Sequence, residues 1–140
     1  MLDKQLIEKK LRWIEECLRE LELVSINNLE EFKENIITKR FIERNIELAI
    51  ENMIGICKHF VSGLGLKEPE TYSECFEILT KAKIISKEHL NIFKTMVRFR
   101  NLLIHVYDNI DDSITYGIYK YKLGDFKLFI EEIRNYLKSN

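Results

Sequence analysis

Arg100, Asn101, His105 and Tyr107 fall within eight consecutive positions of the stretch RFRNLLIHVYDNID, residues 98–111. An imidazole titrates near neutrality and moves protons at physiological pH. A guanidinium neutralises charge that develops on a phosphoryl group. Asn101 precedes His105 by one helical turn and is placed to orient its ring. With the basic residues Lys94 and Arg98 just upstream, these types favour cleavage of a phosphodiester that carries its own nucleophile, the 2′-hydroxyl of RNA.

The segment that must position them reads as a helix from Lys87 to about Val106, with Ser86 as its cap. At 100° per residue, Leu90, Phe93, Val97 and Ile104 form one apolar stripe, and Arg100 occupies the position that completes it. Ile92, Met96, Phe99, Leu103 and Tyr107 form a second stripe, while Lys94, Arg98, Asn101 and His105 lie on the other side. A guanidinium on an apolar face is costly to desolvate, so Arg100 requires a carboxylate, a phosphate or a water-filled cleft. The structural alternative is an ion pair with Glu43, Glu47 or Glu51 on the preceding long helix. Arg100 and His105 lie about 140° apart by the helical period. The expectation is therefore that distortion of the helix end or the same segment of a second protomer completes the site.

No metal site is expected. Asp108, Asp111 and Asp112 lack an organised ligand pattern, and Cys17, Cys57 and Cys75 lack metal-type spacing. The three cysteines read as small hydrophobic residues in a reducing cytoplasm. No flanking signature marks a serine or cysteine nucleophile. His59 and His89 stand apart from the His105 group along the chain. No cofactor is implied.

The net charge of −1 argues against a protein that coats nucleic acid. That figure hides an asymmetry: from Leu79 to Tyr107, six basic residues (Lys81, Lys83, Lys87, Lys94, Arg98 and Arg100) face a single acid, Glu88. A local positive patch suffices to hold a few phosphates. The opening MLDKQLIEKK is charged from residue 3 onward, which fits neither a signal peptide nor a membrane span and points to the cytoplasm.

Five glycines and one proline leave few breaks in 140 residues, so the chain reads as one mostly helical domain, 1–140. Leu6, Ile7, Leu11, Ile14, Leu18 and Leu21 mark an amphipathic helix from Asp3 to about Leu23. Asn28 with Glu31 makes a capping box for a short helix. A long helix from about Thr38 to Ser62 is apolar on more than one stripe, as a central bundle helix is. Gly63 and Gly65 end it, and Thr71 with Glu74 starts another. Asp108 to Ser113 forms a connection. A last helix runs from about Ile114 to Leu137, broken near Gly124, with Asp125 as a second cap. The fold class is all-α, an up-and-down bundle of four main helices plus short ones.

The run Arg100-Asn101-Leu102-Leu103-Ile104-His105-Val106-Tyr107 matches the R-x-x-x-x-H-x-Y signature of HepT-like proteins, a branch of the HEPN superfamily of helical ribonucleases. Residues 41–79 and 82–101 resemble the family's central helix, its proline-containing connection and its approach to the active site. Asp111 falls where the family tends to carry an acid, whereas Leu102 and Val106 replace a basic and a polar residue. The resemblance implies a homodimer, and the toxin half of a type VII-like toxin–antitoxin pair acting as a metal-independent RNA endonuclease. It implies Arg100 and His105 as the catalytic pair, Asn101 as their support, and Tyr107 as the residue to which a partner MntA-type nucleotidyltransferase adds AMP, silencing the toxin. Lys94 and Arg98 are expected to contact RNA. The competing expectation is a non-catalytic helical partner of such a nucleotidyltransferase, using the same cleft to bind a nucleotide or position a substrate.

Overall fold

A computed structural model describes residues 1–105 and 111–140, so Tyr107 and Asp108 lie outside the described residues. Seven α-helices occur among them: α1 (Lys4–Leu21), α2 (Leu29–Glu34), α3 (Ile36–Gly63), α4 (Tyr72–Lys81), α5 (Leu90–His105), α6 (Asp112–Tyr121) and α7 (Gly124–Ser139). Four of these, α1, α3, α5 and α7, are the long ones, as expected, and no described residue forms a strand.

Side chains that satisfy orphan amides set the starts of most helices. Asp3 accepts from the Leu6 N–H, Asn28 from Glu31, Asn35 from Thr38, Thr71 from Glu74 and Asp111 from Ser113. Glu31 closes its box on the Asn27 amide, at 3.0 Å. Two expected caps are corrected. Ser86 makes no cap bond, and the chain enters α5 through a 3-10 turn over Lys87–His89. The Ser86 hydroxyl instead meets His89 Nδ1 at 3.1 Å, and its amide donates to Glu132 on α7 at 2.9 Å. Asp125 lies inside the first turn of α7, where its charge suits the helix dipole without capping it. The expected last helix is two helices, because the chain leaves helical geometry between Tyr121 and Gly124.

The 28-residue α3 runs through the centre. Ile42, Ile46, Ala49, Ile50, Met53, Ile54, Ile56, Cys57, Phe60 and Val61 are all buried on it, which is why its apolar pattern exceeds one stripe. Along its length lies α1, and α4 and α5 pack on it elsewhere. The other two histidines serve this framework: His59 accepts the Asp3 amide at 3.0 Å, and His89 meets Glu132.

Three fully buried rings lock α4, α5 and α7 together. Phe93 meets Phe129 edge-on at 5.3 Å, and Phe76 lies 6.3 Å from Phe93 and 5.9 Å from Phe129. This cluster fixes the rotation of α5, and so decides which of its residues face outward near its C-terminal end. Replacing Phe93 by Ala removes the shared ring and leaves a cavity. The expected loss is about 3–5 kcal/mol of unfolding free energy, read from urea titration.

Candidate active site

The last turns of α5 border an open cleft of about 900 Å³. Arg100, Asn101, Ile104 and His105 form one wall. Lys58, Val61 and Ser62 near the end of α3 form another, and residues 68–72, the connection into α4, close the third side. Helical geometry explains the first wall. Relative to Arg100, Ile104 lies about 40° round the axis, Asn101 about 100° and His105 about 140°. These four side chains therefore fill one continuous arc, and the cleft is broad enough to receive all of it. Arg100 and His105 of one chain both border this cleft, without bonding to each other.

Arg100 is 17% exposed, close to the burial its place on the apolar stripe demands. Of the three glutamates weighed, Glu51 is its partner: Arg100 Nη2 lies 3.4 Å from Glu51 Oε1. Arg100 Nη1 donates to Asn101 Oδ1 at 3.2 Å, so Asn101 bonds the guanidinium and not the imidazole. The Tyr72 ring stands 5.5 Å from the guanidinium carbon. Arg100 Nε is buried with no hydrogen-bond partner among the described residues. These contacts are long for a charge-assisted pair, which ordinarily closes to about 2.7–2.9 Å.

The same chain supplies a contrasting arginine. Arg134 on α7 binds Glu8 at 2.6 Å and Glu15 at 2.9 Å through both ends of its guanidinium, tying α7 to α1. Its pKa is held above the ordinary value by those two carboxylates, while the Arg134 hydrogen bond lowers that of Glu15. Arg134 is a structural cation with its donors engaged. Arg100 keeps donor capacity in hand beside a cleft.

Lys94 and Arg98 do not line this cleft. Lys94 pairs with Glu77 at 3.5 Å, and Arg98 is exposed and bonds Thr95 at 3.0 Å. His105 is exposed at the end of α5. Lys58 and Tyr72 were not singled out in the sequence. Lys58 is one of many charged residues on an amphipathic helix, and Tyr72 resembles a core residue of α4 until its place directly after the Thr71 cap turns it outward. Among the described residues, no group of three or more His, Cys, Asp or Glu side chains gathers as metal ligands would.

An all-helical bundle whose cleft gathers an arginine, a histidine and an asparagine from one helix end defines the class of this domain. The chain belongs to the ribonuclease HepT-like family, whose model matches residues 14–133. It is 24% identical over 129 residues to the mRNA nuclease HepT of Shewanella oneidensis, covering 92% of this chain and 96% of that protein. It is 28% identical over 121 residues to the tRNA nuclease HepT of Aphanizomenon flos-aquae, covering 86% of this chain and 80% of that one. Its fold matches the tri-AMPylated HEPN toxin of Shewanella oneidensis, solved in complex with an MNT antitoxin, with a TM-score of 0.85 at 23% identity over 95% of this chain and 99% of that one.

The carboxyl pair behind Arg100 gives a pH signature. Burial raises the Glu47 pKa first, reinforced by a hydrogen bond and repulsion from Glu51, one turn away, against lowering by Arg44 and Arg100. A carboxyl whose folded pKa is raised binds its proton more tightly in the folded state. Its stabilisation is full below the unfolded value of 4.5 and is lost as pH rises through the folded value. Glu47→Gln should therefore lose less stability than the parent between pH 4.5 and 7, measured by urea unfolding at a series of pH values.

Proposed function

We propose that this protein is the toxin of a toxin–antitoxin pair and acts as a metal-independent RNA endonuclease through Arg100 and His105. The observation that carries the reading is the state of Arg100: largely buried, loosely paired with Glu51 and facing a cleft that also receives His105. The family to which the chain belongs and its two HepT relatives, each named as a nuclease of mRNA or tRNA, support it.

In this mechanism His105 accepts the proton of an RNA 2′-hydroxyl as that oxygen bonds to the adjacent phosphorus. The 5′-oxygen leaves with its bonding electron pair and takes up a proton, and a 2′,3′-cyclic phosphate remains. Arg100 approaches the non-bridging oxygens and stabilises the added charge of the pentacoordinate transition state. The phosphate replaces Glu51 as the partner of the guanidinium. Asn101 acts as a positioning residue, because its amide oxygen holds one end of Arg100. In a homodimer that joins two such clefts, the second His105 is the proton donor to the leaving oxygen.

Control belongs to a partner nucleotidyltransferase of the MntA type, which adds AMP to Tyr107. An anionic adduct two residues beyond His105 occupies the RNA cleft and repels substrate phosphates. The AMPylated HEPN toxin bound to its antitoxin, to which this fold is similar, supports that arrangement. The protein then works in the cytoplasm; no described helix is long and apolar enough to cross a membrane.

Purified protein should cut single-stranded RNA in EDTA, and His105→Ala should lower the rate about 10²–10⁴-fold, read from gel-resolved cleavage of a labelled transcript. Equal cutting by His105→Ala overturns the mechanism. RNA or nucleotide binding without cleavage by the free parent protein favours the non-catalytic partner instead.

A further inference from the structure

Tyr72 and Lys58 remain unexplained by the Arg–His chemistry. Tyr72 is the first residue of α4, directly after the Thr71 cap; it is 38% exposed and borders the cleft. Two cations lie over it: the Arg100 guanidinium carbon, 5.5 Å from its centroid, and Lys58 Nζ, 5.8 Å away. Lys58 is exposed on α3, more than ten residues from Tyr72 in sequence and joined to it only by the fold.

A partly exposed aromatic ring beside two cations combines the two features by which single-stranded nucleic acid is held. Bases stack on the ring, and the backbone follows the positive charge. We propose that Tyr72 and Lys58 form a nucleotide subsite adjoining the Arg100–His105 pair, in which one base of single-stranded RNA displaces the Lys58 ammonium from over the Tyr72 ring and stacks there, and Lys58 turns to a flanking phosphate. The acidic residues Glu68 and Glu70 of the connection line the same cleft and disfavour phosphates on their side. The backbone is thereby confined to the wall carrying Lys58 and Arg100. A duplex cannot present an unstacked base to Tyr72, so the subsite selects unpaired RNA and sets which nucleotide lies across Arg100.

This inference rests on the ribonuclease reading but is testable without cleavage. Binding of fluorescein-labelled single-stranded RNA is measured by anisotropy in the His105→Ala background, for Tyr72→Phe, Tyr72→Leu and Lys58→Ala. Tyr72→Phe keeps the ring and should bind within twofold of the parent. Tyr72→Leu keeps apolar bulk without a π face and should bind about tenfold or more weakly. A scan of oligomers, each with one abasic nucleotide, should contain a position at which the Tyr72→Leu effect disappears. Lys58→Ala should reduce the slope of log K against log salt by about 0.7. Parent-like affinity in Tyr72→Leu, an equal loss at every abasic position, or no RNA binding at all overturns the subsite. A subsite confirmed by the scan alongside a parent protein that does not cut RNA leaves it standing and overturns the ribonuclease mechanism alone.

Discussion

The arrangement of the cleft depends on one electrostatic constraint, the incomplete neutralisation of Arg100. A guanidinium that is only 17% exposed needs charge compensation, and this one receives it from a single carboxylate at 3.4 Å and an amide oxygen at 3.2 Å. Arg134 shows what full compensation looks like in the same molecule, with two carboxylates closing on it at 2.6–2.9 Å. The contrast separates a cation that ties helices together from one that keeps donor capacity beside a cleft. A second carboxyl, Glu47, does not close the gap, because Arg44 engages it at 2.9 Å.

That arrangement is maintained from a distance. The ring cluster of Phe76, Phe93 and Phe129 sets the rotation of α5 two turns before Arg100. Lys39 and Asp112, both largely buried and 2.8 Å apart, tie α6 back to α3 just beyond the segment that carries Tyr107. On α3, Glu51 and Lys58 lie about two turns apart, one behind Arg100 and the other across the cleft. The long central helix therefore presents both a carboxylate that meets the Arg100 guanidinium and a cation that borders the same cleft.

Much of this was legible in the sequence. Capping pairs such as Asn28–Glu31 and Thr71–Glu74 marked helix starts because a short polar side chain at that spacing has few other uses. The two-sided apolar pattern of α3 reported its central position. Ser86 and Asp125 misled for a common reason: each is a plausible cap by type, but tertiary partners or a backbone break a residue or two away decided its role. The site was legible in its types and incomplete in its geometry. Arg100 on an apolar stripe correctly signalled a constrained cation, and Glu51 was among its candidate partners. The helical period gives the arc between Arg100 and His105, but that one cleft borders the whole arc is a property of the neighbouring elements. Lys58 and Tyr72 left no local signal at all; α3 and the α3–α4 connection bring them together only after folding.

The central claim is that the RNA supplies its own nucleophile and this chain supplies Arg100 and His105 to the bond that nucleophile makes. Its most direct test is the rate of cleavage of an oligoribonucleotide with a single 2′-deoxy substitution at the mapped scissile position, in EDTA, against the all-ribose parent. The account predicts that cutting at that bond is abolished while binding is unchanged. Undiminished cutting at the deoxy position would contradict it, since the attacking oxygen would then have to come from elsewhere.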